Sequence, residues 1–319
     1  RDRSPSRGLG DVYKRQHTKL IDMLTDLNDY SIGIEDVLKE HFDEENIVYW
    51  MAFQILMGNV DTQNRNVYLY SPLNSDIWYF IAWDNDGCLM RPEYELRNFS
   101  DQNSWEKGIS NYWGNILFQR CLKSRSFREK LNDAILDLRE YLNKDMLTSK
   151  IESYKNVLKP YLYLMPDAEY EPLTSEQYDQ IAASLPDEIE KNYQLYLESL
   201  ETPMPFYIGV PTIDGDKLKF NWDVSYDLDA EDITYSVEVA GDYLFRDVIY
   251  QNTTLTVPEA EMDLPKAGQY FVRVRATNTS GKTQDAFDYY VTDEGKYYGM
   301  RCFYITEDST VEEDDYEEG

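Results

Sequence analysis

The most restrictive feature of this sequence is a short predicted β-hairpin with an acidic residue on each side. Asp61 is followed five residues later by Asn66, and Asp84 ends the segment. Residues 67–70 and 77–83 are apolar runs that predict two strands, and Pro, Asn, Ser and Asp supply turn residues between them. A hairpin reverses the chain direction, so we expect Asn66 and Asp84 to converge at its open end.

Enzymes that transfer phosphoryl groups use the same order of groups. Protein kinases carry a catalytic Asp, an Asn five residues later and a metal-binding Asp beyond a short hairpin. By this order, Asp61 is the candidate base that orients the attacking hydroxyl, and Asn66 and Asp84 are candidate metal ligands. Asp86 could support Asp84 or hold a second ion, because alternate residues of an extended chain share a face. The segment therefore predicts a phosphoryl-transfer site that holds magnesium or another divalent metal.

These acids also have other possible interpretations. Each acid alone could simply stabilise a turn, but the combined order after a buried helix favours function. An EF-hand calcium loop starting at Asp84 needs Gly at its sixth position, where this chain has Leu89. A glycosidase could use Asp61 and Asp84 as its two carboxylates, although nothing else marks a sugar site. No His-Arg precedes Asp61 and no Phe follows Asp84. The order of the acids is therefore kinase-like, but the neighbouring residues differ from those of ordinary protein kinases.

The first 200 residues predict a mostly helical region. Residues 17–30 have Leu20, Met23, Leu24 and Leu27 on one helical face. Residues 47–57 are apolar almost all round, which predicts a buried helix leading into Asp61. Helical patterns continue over 115–163 and 175–200, with breaks at proline residues. The second apolar run of the hairpin predicts a strand covered on both faces, and Trp50 and Trp83 are expected in the core.

After Pro205 the pattern changes to short alternating strands. Apolar side chains recur at every second position in three groups: Leu218, Phe220 and Trp222; Tyr235, Val237 and Val239; Tyr270, Val272, Val274 and Ala276. Residues 205–293 resemble a fibronectin type III domain. Asp214, Asp216, Asp227 and Asp229 could bind calcium in its loops, but solvated turns explain them better. The predicted fold class is therefore α+β, with a mostly helical domain at 17–201 and a β-sandwich at 205–293.

Both ends of the chain differ from the rest. Residues 1–16 have no apolar period and resemble translated adapter DNA, so we expect a non-native segment outside the fold. Residues 294–319 form an acidic tail, which we expect to be disordered from about residue 307. The net charge of −29 argues against nucleic acid and anionic membranes as partners. No apolar run reaches the roughly 20 residues of a membrane span.

The remaining reactive residues are sparse. The three cysteines, Cys88, Cys121 and Cys302, are scattered and form no CxxC pair, so they indicate neither a zinc site nor a disulfide framework. The two histidines, His17 and His41, lie near no nucleophile motif, which argues against a Ser-His-Asp or Cys-His hydrolase.

Residues 46–87 resemble the CotH family of spore-coat kinases. The matching motifs are Gly58-Asn59-Val60-Asp61, the strand that follows Asn66, and Trp83-Asp84-Asn85-Asp86. The resemblance extends over about residues 17–200. It implies an atypical protein-kinase-like C-lobe that binds ATP with a divalent metal and phosphorylates Ser or Thr of coat or surface proteins. It also implies that Asp61 is the catalytic Asp and Asp84 a metal ligand; Asn66 follows from its spacing.

The family's nucleotide-binding N-terminal half has no counterpart in this sequence. We therefore expect a truncated fragment that is inactive alone, from a bacterial protein exported to the cell surface or spore coat. The alternative is a surface-binding or adhesion protein whose kinase-like domain is a scaffold. In either case the β-domain could contact a cell-surface or carbohydrate partner.

Overall fold

The computed structural model describes residues 6–63, 65–96, 105–293 and 295–313, and it describes side chains from residue 17 onward. The chain divides into two compact units. The helical unit comprises Arg1–Ser100 and Tyr112–Tyr196, and the β unit comprises Asp101–Asn111 and Leu197–Gly319. The described residues thus combine helices and antiparallel sheets, and the predicted α+β class is confirmed at this level.

The helical unit contains α-helices and one two-stranded hairpin within its described residues. Its elements are α1 (Ser6–Asn28), α2 (Ile34–His41), α3 (Glu44–Met57), β1 (Tyr68–Tyr70), β2 (Tyr79–Ile81), α4 (Arg91–Leu96), α5 (Ile116–Lys123), α6 (Arg125–Tyr141), α7 (Lys144–Leu162), α8 (Ser175–Ser184) and α9 (Glu188–Leu200), the last of which continues into the β unit.

Helix α3 is the centre of the helical unit. It begins at Asp43, whose carboxylate accepts a hydrogen bond from the backbone N–H of Asn46 at 2.9 Å. Its residues are buried around most of the circumference, as the apolar run predicts. The ring of Trp50 lies 4.8 Å from that of Phe80 in β2 and 5.7 Å from that of Phe118 in α5. The core prediction for Trp50 is confirmed, and α3 fixes where the following loop starts.

Helix α1 differs from its prediction in two respects. It begins at Ser6, within the segment 1–16 that we expected to lie outside the fold. Residues 11–16 contain no proline or glycine, so helical hydrogen bonds can propagate through them. Met23 and Leu27 are buried, whereas Leu20 and Leu24 are 37% and 44% exposed. The apolar face is therefore narrower than the sequence indicates.

The hairpin is held to α3 by the side chain of Asn46. In β2, the backbone N–H of Phe80 donates to Asn46 Oδ1 at 2.6 Å, and Asn46 Nδ2 donates to the Phe80 carbonyl at 3.1 Å. The amide thus satisfies both backbone groups of Phe80, as a neighbouring strand would. The side chain of Phe80 is buried, and Leu69 is its cross-strand partner.

The expectation that both faces of the second strand are covered is wrong. Only the Phe80 face is buried, while Ile81 and Trp83 are 43% and 52% exposed. Side chains alternate between the two faces of a strand, so an unbroken apolar run does not prove burial of both. Trp83 instead contacts Tyr68 on the outer face, with ring centroids 4.9 Å apart.

The turn of the hairpin is attached to α1. Lys19 Nζ donates to the carbonyl of Pro72 at 2.7 Å and to that of Ser75, and it lies 3.7 Å from the carboxylate of Asp76. The largely buried ammonium therefore satisfies turn carbonyls that have no strand partner. One described helix thus holds the closed end of the hairpin, while α3 holds its middle.

The β unit contains two main antiparallel sheets and a separate hairpin within its described residues. One sheet has the order β3 (Thr212–Asp214), β4 (Lys217–Asn221), β7 (Glu259–Asp263). The other has the order β13 (Val311–Glu313), β12 (Met300–Ile305), β8 (Gly268–Asn278), β5 (Ile233–Ala240), β6 (Val248–Leu255), with β9 (Thr283–Asp285) also on β8. The hairpin pairs β10 (Tyr289–Thr292) with β11 (Gly295–Tyr298).

The core of the β unit lies between these sheets. Leu218, Phe220 and Trp222 are buried from one side, and Val237, Val239, Val272 and Val274 from the other. The predicted period-two alternation is therefore confirmed in these strands. Their apolar side chains form one shared cluster, as in a two-layer β fold.

The β unit continues beyond the predicted limit at residue 293. Strand β12 pairs with β8 along its whole length, and its Phe303 is fully buried. Strand β13 then pairs with β12, so the expected disorder from residue 307 is wrong for 307–313. The acidic side chains of this segment are compatible with a strand because they lie at an exposed sheet edge, where Arg301 contacts Glu313 at 2.8 Å. Residues 314–319 lie outside the described part.

Among the described residues, no helix combines the length and the apolar character needed to cross a membrane. Cys88, Cys121 and Cys302 are free cysteines.

Replacing Asn46 with Ala should destabilise the helical unit by about 1–3 kcal/mol, because two backbone groups of Phe80 lose their partners. Urea unfolding followed by circular dichroism at the helical band would measure this change. The matched control is Glu45→Ala, an exposed neighbour on the same helix that should leave the midpoint nearly unchanged. Equal midpoints for both variants would contradict the bridging role of Asn46.

Candidate functional site

The loop that carries Asp61 is shaped by the end of α3. Gly58 ends the helix in the left-handed region, with φ of 60°. Asn59 then begins a short 3-10 helix, Val60–Thr62, and its Oδ1 accepts from the backbone N–H of Asp61 at 3.3 Å. The Thr62 hydroxyl donates to the Asn59 carbonyl at 3.0 Å. Asp61 is exposed at the surface of this compact turn.

The second loop carries Asp84 and Asp86 and lies directly against the first. Asp84 precedes a 3-10 helix, Asn85–Gly87. A Cβ atom added at Gly87 would lie 2.9 Å from Asn59 Oδ1 and 3.7 Å from Asp61 Cβ. Any larger residue at position 87 would therefore separate the loops, which explains why glycine follows the acids.

Three uncharged amide side chains join the loops beneath the surface. Asn59 Nδ2 donates to Gln54 Oε1 at 3.0 Å and to Asn85 Oδ1 at 3.3 Å. Gln54 Nε2 also donates to Asn85 Oδ1, at 3.1 Å. We call Gln54, Asn59 and Asn85 the amide triad. It connects α3, the Asp61 loop and the Asp84 loop, and its polar atoms satisfy one another in a region where unpaired groups are costly.

Helix α9 supports the triad from the other side of the turn. Asn192 Nδ2 donates to the carbonyl of Leu56 at 2.8 Å, which satisfies an orphan carbonyl at the end of α3. Arg91 in α4 donates to Asn192 Oδ1, and its guanidinium lies 3.4 Å from the buried carboxylate of Glu188. The Asp61 loop therefore rests on a second polar layer within the helical unit.

The candidate site residues meet at the open end of the hairpin. Asn66 Nδ2 donates to Asp61 Oδ2 at 2.8 Å. The pKa of Asp84 is raised, first by the negative charge of Asp86 and then by partial desolvation, a hydrogen bond with Asp86 and the charge of Asp61. All four predicted residues are thus within interaction range of at least one other. Three carboxylates that repel one another form a site whose charge a cation would relieve.

The backbone of the site is strained at three positions. Asn66, Asp84 and Leu89 have φ of 51°, 50° and 57°. These values lie in the left-handed region, which residues other than glycine rarely adopt. Such conformations cost about 1–3 kcal/mol each and occur at functional sites more than elsewhere. Leu89 is anchored by its N–H, which donates to the Met57 carbonyl at 2.8 Å.

The structure brings the predicted ligands close without forming a complete metal cage. Within the described ranges, no group of three or more His, Cys, Asp or Glu side chains has an arrangement that could hold a metal ion. The neighbouring thiol of Cys88 is no substitute ligand, because burial raises its pKa to about 12 and keeps it neutral. Any metal would need oxygen atoms from a bound ligand or water besides those of the protein.

Two of the four acids considered as calcium ligands in the β unit, Asp227 and Asp214, have structural partners. Asp227 Oδ1 accepts from the backbone N–H groups of Asp229 and Glu231, and its Oδ2 accepts from Asn278 at 3.0 Å. Asp214 forms an ion pair with Lys219. These contacts agree with stabilised turns.

Sequence reasoning identified the charged residues of the site but missed the amide triad. One signal was available: Gln54 is an amide within the apolar run 47–57, where a buried polar side chain needs a partner. Asn59 and Asn85 lie next to the predicted acids and resemble ordinary turn residues.

The fold and candidate site define an α+β protein whose helical unit carries a hairpin flanked by acids. A family model described as CotH kinase protein matches residues 6–196, which is 191 of the 319 residues. The chain belongs to the CotH kinase family. The match begins within the segment 1–16, as α1 does.

Two further comparisons add little. No curated protein matches the chain. One solved structure, surface layer protein SbsC (domains 1–6), is similar over 86% of this chain at 14% identity, with a TM-score of 0.17. The alignment spans 38% of that structure's length.

Replacing Asn59 with Ala should destabilise the helical unit by about 2–3 kcal/mol, since Gln54 and Asn85 would keep buried polar atoms with fewer partners. Thermal and urea unfolding would measure the loss. Asn156→Ala, an exposed amide on α7, is the matched control and should change stability little. A loss no larger than the control's would show that the triad does not hold the loops.

Replacing Asp86 with Asn should lower the pKa of Asp84, and Asp61→Asn should lower it less, because Asp86 is the larger cause of the shift. NMR titration of the side-chain carboxyl carbons would measure both. The raised folded-state pKa favours folding fully below the unfolded value of about 4, and this contribution is lost as pH rises through the folded-state pKa. Asp86→Asn should therefore flatten stability against pH in that window. An unchanged Asp84 titration in both variants would contradict the charge coupling.

Proposed function

We propose that this chain carries the catalytic part of a CotH-type protein kinase that transfers the γ-phosphoryl group of ATP to Ser or Thr of a protein. In this proposal Asp61 is the catalytic base. Asp84 and Asn66 hold a divalent metal, and Asp86 assists Asp84 or holds a second ion. The helical unit corresponds to a kinase-like C-lobe.

The observations that support the proposal are the hydrogen bond from Asn66 to Asp61 and the electrostatic effect of Asp86 and Asp61 on Asp84. The bond from Asn66 occupies Oδ2 of Asp61 and fixes the orientation of the carboxylate. Among the described residues, Oδ1 is then the oxygen that can accept the proton of a substrate hydroxyl. A base that is oriented before substrate arrives avoids part of the entropic cost of catalysis.

The donor set fits a magnesium-like ion. Asp84, Asp86 and Asn66 offer hard oxygen atoms, and the raised pKa of Asp84 reports the crowding of negative charge that a cation would neutralise. When bound, such an ion would offset the charge of the phosphate oxygens. The protein's own residues orient the hydroxyl, accept its proton at Asp61 and hold the loops at a fixed spacing.

The β unit fits an accessory role. Its strand order, with β3, β4 and β7 in one sheet and the longer sheet opposite, supports a fibronectin type III-like sandwich. Such a module would act as a spacer or adhesion unit, with a cell-surface or carbohydrate partner. An extracellular or spore-coat location is consistent with the family and with the acidic surface.

One observation favours the alternative, a surface-binding protein with a non-catalytic kinase-like scaffold. The described side chains form no group of three metal-holding residues, and the Asn66 amide nitrogen is turned toward Asp61. In that case the loops would keep their strained conformations, but the protein would not transfer phosphoryl groups. Metal-dependent binding of ATP separates the two proposals.

Incubation of the complete protein with γ-labelled ATP, magnesium or manganese, and a Ser/Thr-containing protein tests the kinase proposal. Asp61→Ala should reduce incorporation at least about 100-fold, since general base catalysis contributes that much or more. Asp84→Asn should abolish metal-dependent ATP binding in calorimetry, whereas Asp61→Ala should retain it. Asp133→Ala, an exposed acid on α6, is the control and should behave like the unmodified complete protein.

Two outcomes would overturn the kinase proposal. Equal, measurable incorporation by the complete protein and its Asp61→Ala variant would remove Asp61 from the chemistry. Absence of metal-dependent ATP binding to the complete protein would favour the scaffold.

A further inference from the structure

Helix α7 carries a continuous apolar stripe that the described structure leaves uncovered. Tyr154, Val157, Leu158 and Tyr161 recur at three- and four-residue spacing, so they lie on one helical face. They are 63%, 61%, 51% and 67% exposed. Leu164 and Met165, just past the helix end, are also exposed. We call these six residues the α7 stripe.

The stripe departs from the ordinary pattern of a surface helix. Apolar residues at such spacing normally face the core. In α7 only Leu147 is fully buried, although α7 contacts the segments of α8 and Leu185–Asp187 on its other side. The helix therefore has two apolar faces, and only one of them is used within the described chain.

The size of the stripe matches one half of a protein interface. Its six large side chains together expose roughly 700 Å², given that an aromatic side chain presents on the order of 200 Å² when fully open. A standard interface buries about 800 Å² on each partner, and exposed apolar patches above a few hundred Å² mark interaction sites. The two tyrosines are suited to the centre of such an interface.

The distribution of charge on the protein indicates which partner would cover the α7 stripe. The protein has a net charge of −29, so two copies repel each other over most of their surfaces. From residue 148 to 161, however, α7 contains one acid, Glu152, which forms an ion pair with Lys155 at 2.6 Å. Lys159 pairs with Asp179 at 2.6 Å, and the exposed Lys150 lies one turn before Tyr154. The stripe is thus a face on which two copies can meet with little repulsion.

We infer that the α7 stripe is a homodimer interface in which α7 packs antiparallel against α7 of a second copy. A two-fold axis beside Val157 would set Tyr154 opposite Tyr161 of the second copy, and Val157 opposite its Leu158. Both of these pairs join apolar side chains, and the same patch serves both copies, as an isologous interface requires. This inference concerns assembly and does not depend on the proposed kinase activity.

Sedimentation velocity and light scattering of the full chain at up to about 100 µM test the inference. We expect a reversible dimer. The double variant V157E/L158E should raise its dissociation constant at least about 100-fold, because four like charges would be buried together. The control S153E/N156E adds the same charge to the adjacent polar face of α7 and should leave dimerisation unchanged. All four positions are exposed, and circular dichroism would verify that each variant folds.

A second variant gives an independent readout. Val157→Cys should form a disulfide-linked dimer on mild oxidation, whereas Asn156→Cys, one position around the helix, should not. Added salt should strengthen association, since it screens the repulsion between two acidic copies.

Three results would overturn the inference. One is a monomer at every concentration, and another is a dimer unaffected by V157E/L158E. The third is association that weakens with salt, which would indicate that the lysines of α7 bind an anionic partner instead.

Discussion

The candidate site depends on the amide triad of Gln54, Asn59 and Asn85. These side chains join the end of α3 to the Asp61 and Asp84 loops through three hydrogen bonds of 3.0 to 3.3 Å. Neutral amides suit this position, since a buried charge would carry a large desolvation cost and would also disturb the nearby carboxylates. An amide both donates and accepts, so three of them can satisfy one another without a charge. The triad therefore sets the loop spacing without adding to the charge of the site.

The residues that stabilise the helical unit lie below the surface, whereas the acids of the candidate site lie at the surface. Below the surface, α3 is fixed by apolar contacts around Trp50 and by the Asn46 bridge to Phe80. At the surface, Asp61, Asp84 and Asp86 repel one another, and Asn66 and Asp84 adopt strained backbone conformations. Neither feature stabilises the fold, so the packed layer beneath must offset both. This division explains why the acids can be exposed and still hold fixed relative positions.

Prediction from the sequence succeeded where residues close together in the chain determine the local structure. The burial of α3 and the alternation through Val237 and Val239 each follow from spacing within a few residues. It failed where long-range pairing decided. Trp83 is as apolar as Trp50 but lies on the uncovered face of the hairpin, and residues 311–313 are acidic yet pair with β12. The acids of the site were predictable from their order, whereas the triad required knowledge of which loops meet.

The charge of the site also limits how a kinase built on it could bind its ligands. A triphosphate is an anion and would be repelled by Asp61, Asp84 and Asp86, whose mutual repulsion already raises the pKa of Asp84. A divalent cation reverses this balance, since it relieves the carboxylates and attracts the phosphate oxygens. In a kinase built on this site, a metal ion would therefore bind before the nucleotide or together with it. For the same electrostatic reason, a protein substrate with basic residues beside its hydroxyl would approach this acidic surface faster than an acidic one.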